Sequence, residues 1–254
     1  TDDARHHLYR DNVAERPKVV FNERTGKFVM WLHIDGADYA RARCGVATSD
    51  RPTGPFEYLG SFRPNGGQMA RDLTVFVDDD DDGSAYLFTS SEDNASIHIS
   101  QLTDDYLTTK GNHSRIFVGR YMEAPTIFKH DGKYYMIMSG CTAWKPNAAR
   151  SAVTSSSSIW GPWTELGNPC RSEGSNTTFR SQSTYVLPVA GNSERGGDNY
   201  TRFIFAADRW IENNLSDSRY VWLPLTFDTE SDNPIIKWYD EWNPSWSSGA
   251  WSKT

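Results

Sequence analysis

Four stretches of this 254-residue chain follow one plan: a polar residue, a β-rich run, a tight polar turn and a second, aromatic-rich run. They are ERPKVVFNERTGKFVMWLHID from Glu15, DLTVFVDDDDDGSAYLFTSS from Asp72, EAPTIFKHDGKYYMIMSG from Glu123, and QSTYVLPVAGNSERGGDNYTRFIFAAD from Gln182. Their starts lie 57, 51 and 59 residues apart. Each reads as a β-hairpin, with Gly and Asn or Asp supplying the left-handed turn conformations. A second hairpin follows in each unit. GVATSDRPTGPFEYLG at 45–60 echoes SAVTSSSSIWGPWTELG at 151–167, with the shared GP-aromatic-x-x-LG ends 107 residues apart. IHISQLTDDYL at 97–107 takes that place in the second unit, and RYVWLPLTFD with IIKWYDEW closes the fourth. Two hairpins make a four-stranded sheet, and four-stranded sheets at this period are propeller blades. A generic β-sandwich does not repeat at such an interval. The expectation is one all-β propeller domain over 1–254.

In a propeller every innermost strand runs the same way beside the axis, so the residues opening those strands meet at one mouth. The openers here are Glu15, Asp72, Glu123 and Gln182. Three carboxylates and one carboxamide are the ingredients of an acid/base site. Glycoside hydrolysis needs a proton donor for the leaving oxygen and a group that directs water or attacks the anomeric carbon. Crowded carboxylates push their pKa values apart, keeping one protonated while others stay ionised. Glu123 precedes Ala124 and Pro125, which implies an extended backbone there. Asp72 follows Arg71 and Glu15 precedes Arg16, so each has a cation at hand.

Composition narrows the ligand. The net charge of −7 argues against a nucleic-acid backbone as partner, and 12 Phe, 12 Tyr and 10 Trp suit an all-β protein that handles neutral sugars. No apolar run approaches the roughly 18 residues of a membrane helix, so no membrane partner is expected. The chain starts at Thr1 with neither an initiator Met nor a signal-peptide pattern, which reads as a processed or excised piece. Five N-x-S/T sequons begin at Asn94, Asn112, Asn176, Asn199 and Asn214, leaning towards a secreted or periplasmic protein. A monomer is expected.

ERPKVVFN at 15–22, RDLTVFVDDD at 71–80, YMEAPTIFKHDGKYYMIMSGCTAW at 121–144, FRSQSTYVLPV at 179–189 and AADRW at 206–210 together resemble glycoside hydrolase family 43, and within it the exo-β-1,3-galactanase branch. The resemblance runs from about Asn12 to the terminal WYDEWNP. It implies a five-bladed β-propeller whose first blade is largely missing from this chain, and an inverting hydrolase releasing galactose from β-1,3-galactan, the backbone of arabinogalactan, without a cofactor or metal. It implies Glu123 as general acid, Glu15 as the carboxylate that tunes the acid and holds the sugar, and Gln182 as the residue that positions water in place of a carboxylate base. The substrate contacts it implies are Arg16, Tyr39, Asp72, Asn94 and Thr142, with Trp144 as stacking platform. The competing readings are a family 43 α-L-arabinofuranosidase or β-xylosidase, and a non-catalytic carbohydrate-binding propeller.

Other signals carry less. VDDDDDG at 77–83 has the opening spacing of an EF-hand, but its twelfth position is Thr89 where a bidentate Glu is needed, which favours a plain hairpin turn. The six histidines lack ligand spacing. Cys141 and Cys170 flank the second half of the third repeat and are expected to bridge, leaving Cys44 as a buried thiol.

Overall fold

The computed structural model describes residues 6–78, 82–189, 202–244 and 251–252. Its strands build four antiparallel meanders. The first sheet comprises β1 (Val13–Asn22), β2 (Lys27–Asp35), β3 (Arg43–Ser49) and β4 (Glu57–Phe62) in chain order. The second holds β5 (Leu73–Asp78), β6 (Ser84–Ser91), β7 (Ser96–Leu102) and β8 (Thr109–Ile116). The third holds β9 (Met122–His130), β10 (Lys133–Gly140), β11 (Arg150–Thr154) and β12 (Trp163–Gly167). The fourth gains a strand: β13 (Cys170–Arg171) pairs in parallel with the outermost member of β14 (Gln182–Val189), β15 (Arg202–Arg209), β16 (Arg219–Phe227) and β17 (Pro234–Lys237). No described helix is long and apolar enough to cross a membrane.

These sheets are the repeats of the sequence, and the all-β propeller class stands. The blade count does not: four blades are present among the described residues, not five. Ahead of β1 the chain makes successive turns, with Tyr9 N–H donating to His6 O at 3.0 Å and Asn12 N–H to Tyr9 O at 2.9 Å, instead of hairpins. After β17 the described residues add only the short pair Asn243–Pro244 with Trp251–Ser252.

The chain divides into two compact units, Thr1–Pro125 and Thr126–Thr254, each with its own apolar core. In the first, Val29 and Trp31 of β2 pack with Cys44, Val46, Leu73, Val75 and Leu87. The Trp31 indole N–H reaches Tyr106 O at 2.9 Å, so this large buried ring leaves no polar atom unpaired. In the second, Phe128, Tyr135 and Ile137 pack with Val186, Phe203, Phe205, Leu223 and Ile236. Strand alternation explains the division of labour on β2. Val29, Trp31, His33 and Asp35 share one buried face at a spacing of two, apolar first and polar last. The β9–β10 hairpin turns on Asp131 and Gly132, both at positive φ (46° and 71°), as a two-residue turn of the type that matches strand twist.

The anticipated disulfide is absent. Cys170 is buried in the second unit's core, Cys141 is exposed after β10, and no disulfide joins them. Cys44 is a buried free thiol as expected, and burial pushes its pKa up to about 12.

Candidate active site

All four repeat openers stand at the starts of inner strands: Glu15 in β1, Asp72 just before β5, Glu123 second in β9 and Gln182 first in β14. Glu15, Asp72 and Glu123 belong to the first unit and Gln182 to the second.

In the first unit the carboxylates are tied through the backbone around them. Glu15-Arg16-Pro17 and Glu123-Ala124-Pro125 are the same Glu-x-Pro motif, and in both the middle residue is left-handed, with φ of 55° at Arg16 and 53° at Ala124. Glu123 itself lies in strand β9, and the bend falls on the next residue, the one before proline. A residue before proline is normally driven to the extended region, so each bend carries strain that the surroundings must hold. Asp72 holds both. Its Oδ2 accepts the Ala124 N–H at 3.0 Å and faces the Arg16 guanidinium at 3.5 Å. At Arg16 the bend also breaks the β1–β2 register between Glu15 and Lys18. The bend turns the Arg16 side chain into the interior, where it is 4% exposed. Asp72 thus takes its cation from the first repeat and not from adjacent Arg71.

Arg71 serves another loop. Its Nη2 donates to Tyr39 O at 3.1 Å and to Asp93 Oδ1 at 2.7 Å. Asp93 is the centre of three successive left-handed residues, Glu92, Asp93 and Asn94. Glu92 anchors this run: it faces Arg115 with both oxygens (2.5 and 2.7 Å), and accepts from Ser96 at 2.8 Å and from His98 at 3.0 Å. The Arg115 bonds bring the Glu92 pKa down to about 2. The run ends with Asn94 Nδ2 donating to Glu123 Oε2 at 3.2 Å, while Asn94 O accepts the Met122 N–H at 3.1 Å. Asn94 was also a sequon position; a glycan on Nδ2 would break the bond to Glu123.

Glu15 is held from two sides. The Tyr39 hydroxyl donates to Oε1 at 2.9 Å, and His33 Nδ1 lies 3.5 Å from Oε2. The other His33 nitrogen is 2.9 Å from Asp35 Oδ2. Asp35 is fully buried and accepts the backbone N–H groups of Gly36, Arg41 and Ala42. Burial alone would lower the His33 pKa, but hydrogen bonding to Asp35 and Glu15 prevails and raises it to about 9. Burial opposes ionisation of Asp35 too, yet His33 and the backbone donors hold its pKa below the usual range. At neutral pH this is a buried Asp⁻–His⁺ pair presented to Glu15. Glu15, His33 and Asp72 offer ligand atoms within 4.8 Å of one another, a group the linear histidine spacing did not show. A metal ion there would compete with two cations already in place, Arg16 and protonated His33. Among the contacts expected for the sugar, Tyr39 also grips Glu15 and Arg16 grips Asp72.

The second unit carries a cleft lined by Ser139, Trp144, Asn147, Gln182, Arg209 and Trp210, among others. Gln182 Nε2 donates to Ser139 Oγ at 2.8 Å, which directs the amide oxygen to act as acceptor. Trp144 and Trp210 meet edge to face, centroids 5.6 Å apart at 84°, giving the cleft two near-perpendicular aromatic walls. Thr142, expected at the substrate, instead braces the loop: its hydroxyl donates to Lys145 O and accepts from Asn147 Nδ2 at 2.7 Å. Asn147 also clamps Gly140 by accepting from its N–H and donating to its O.

Sequence reasoning missed His33, Asp35, Arg71 and Glu92. His33 and Asp35 were findable, because H-x-D at the end of an apolar strand face places both side chains inside. Arg209 and Trp210 lay within a quoted motif without a role.

Comparisons with known proteins identify the family. The model of the family described as "Glycosyl hydrolases family 43" matches residues 19–202. A β-D-galactofuranosidase of Aspergillus niger is 32% identical over 171 residues, 62% of this chain and 49% of that protein, so the chain spans about half the length of this curated relative. A GH43 β-1,3-galactosidase solved with galactodeoxynojirimycin is 41% identical, with a TM-score of 0.85 over 96% of this chain and 80% of its own. An exo-β-1,3-galactanase of Phanerochaete chrysosporium solved with β-1,3-galactotriose is 35% identical, with a TM-score of 0.84 over 99% of this chain and 54% of its own. The exo-β-1,3-galactanase of Clostridium thermocellum is 37% identical, with a TM-score of 0.85 over 100% of this chain and 55% of its own.

Proposed function

The chain belongs to glycosyl hydrolase family 43, and from that premise we propose that it is an exo-acting hydrolase releasing galactose from β-1,3-galactan with inversion. One observation carries this: Glu123 sits on a bend pinned by Asp72 and receives Asn94, while the matching position of the last repeat holds an amide, Gln182, set by Ser139. In the proposed reaction the Glu123 carboxyl gives its proton to the glycosidic oxygen as the bond to the anomeric carbon breaks. A water held by the Gln182 amide oxygen adds to that carbon from the opposite face. A neutral amide orders water well and accepts protons poorly, so Gln182 is given the positioning role alone. Glu15, gripped by Tyr39 and His33, keeps a carboxylate aimed at the sugar, and Trp144 supplies an apolar face for the ring. The similar structures solved with galactodeoxynojirimycin and galactotriose support the choice of sugar. A polymeric glycan substrate suits a secreted or periplasmic site of action.

The test is release of reducing sugar from β-1,3-galactan, arabinan, xylan and a galactofuranoside, the last because of the Aspergillus relative. Galactose from β-1,3-galactan alone, appearing first as the α-anomer by proton NMR, is expected. Initial β-galactose would mean double displacement and remove Gln182 from its role. Activity confined to arabinan or xylan would replace the substrate.

A further inference from the structure

The cleft of the second unit has a charge pattern that a neutral sugar does not require. Lys145, Arg180 and Arg209 line it, and no carboxylate does, although acidic residues outnumber basic ones 33 to 26 in the chain. None of these three cations forms an ion pair among the described residues. Lys145 and Arg180 are exposed, and Arg209 is partly buried, with one Nη donating to Phe179 O at 2.7 Å and its buried Nε unpartnered. Burial, followed by the charge of Arg180, lowers the Arg209 pKa, and the Arg209 guanidinium lies 5.2 Å over the Trp238 ring with no carboxylate beside it in the cleft.

The backbone reinforces the point. Thr178, Phe179 and Arg180 are all left-handed, with φ of 50°, 57° and 60°. Such residues are strained, and they persist where surrounding contacts impose them. Here Thr178 Oγ1 donates to Asn147 O at 2.7 Å and the Phe179 N–H to Gly174 O at 2.9 Å. The strained run delivers Arg180 to the cleft two residues before Gln182.

We propose that this cleft includes a subsite for an anionic sugar, a uronic acid carried by the galactan, with Arg180, Lys145 and Arg209 receiving its carboxylate and Trp210 its ring, while Trp144 and Gln182 remain with the galactose. The proposal rests on the galactan reading for the neutral part of the substrate. A guanidinium fork matches a carboxylate in two parallel bonds, and its ion pair strengthens beside apolar rings. The Trp210 indole takes a C–H face of the uronic acid.

Two trisaccharides decide it: β-1,3-galactobiose bearing a 6-linked glucuronate, and the same molecule with glucose in that place. Binding is read by calorimetry on the Glu123→Gln protein, so that it does not depend on turnover. The glucuronate compound should bind about tenfold more tightly at low ionic strength, and the advantage should shrink as salt rises from about 0.05 to about 0.5 M. In Lys145→Gln/Arg180→Gln, made in the same background, the ratio should fall to near one. The ratio cancels any general damage to the cleft. Equal binding of both sugars, binding of neither, or a preference that survives the double substitution overturns the proposal. A 6-sulfated galactobiose that gains as much as the glucuronate would overturn the carboxylate assignment. Turnover of neutral galactobiose by the unmodified protein is measured in parallel, and its absence counts against the galactanase reading instead.

Discussion

The two units handle polar chemistry in opposite ways. In the first, four charge pairs stand near the openers: Asp72 with Arg16, His33 with Asp35, Glu92 with Arg115, and Arg71 with Asp93. In the second, the cleft shows three cations without an ion pair among the described residues, two indole rings and one amide whose Nε2 is already engaged. The first unit is built to hold groups still. A proton donor must meet its oxygen within a few tenths of an ångström, and buried charge pairs give such placement. The second unit is built to receive, because a ring face and unpaired charges gain most when a ligand covers them.

Substitutions test that contrast, in descending order of their expected effect on turnover. Glu123→Gln should lower turnover of β-1,3-galactan about 10²- to 10⁴-fold and far less on a galactoside with a good leaving group, because little protonation is then needed. Equal losses in the two assays would separate Glu123 from proton donation.

Gln182→Ala should lower kcat about 10²-fold while KM stays near its original value, since a misplaced water slows the reaction without weakening sugar contacts. A rise in KM with kcat preserved would make Gln182 a binding residue and blur the contrast.

Trp144→Ala is expected to do the reverse, raising KM roughly tenfold with a small change in kcat. Loss of one aromatic face is worth about 1.4 kcal/mol on that scale. Steady-state kinetics on galactobiose read both terms.

His33→Gln should touch turnover least and the pH dependence of stability most. The folded-state pKa of His33 is raised to about 9 from 6.5. Its stabilising contribution is therefore full below about pH 6.5 and is lost as pH rises through about 9. The melting temperature of the unmodified protein should fall across that window, and the fall should be shallower in His33→Gln. Identical slopes would show that the buried pair is not charged at neutral pH.

Much of this was legible from spacing. The repeat located all four inner strands, and the residues opening them are the ones the strands present. Strand order within a meander follows from short polar turns, so the blades were readable too. Spacing says nothing of φ, however, and the sites hinge on it. Ala124 beside a proline points to extended backbone; only Asp72, 52 residues earlier in sequence, makes the left-handed bend hold. Partner choice failed for the same reason: Arg71 and Arg16 each adjoin a carboxylate in sequence, yet both reach across to another repeat. The fifth blade was implied by resemblance and the disulfide by two cysteines flanking one repeat, and the described residues form neither. Thr142 matched a motif by position, and spacing did not show that its hydroxyl also braces the loop that carries it.

β13 sets the order in which the molecule can be finished. Cys170 pairs with Ile236, 66 residues later, so the outer edge of the fourth sheet leaves the ribosome before any other strand of that sheet. At roughly 5–20 residues per second, that edge waits several seconds for its partner. The first sheet has no such delay, being complete once Phe62 has emerged. Closing the fourth is a late, non-local event of the kind that slows folding and leaves a strand edge open meanwhile. A nascent chain stalled after Phe227 should already hold β14–β16 together, yet expose Cys170 to thiol reagents that the finished protein, where this side chain is 2% accessible, excludes.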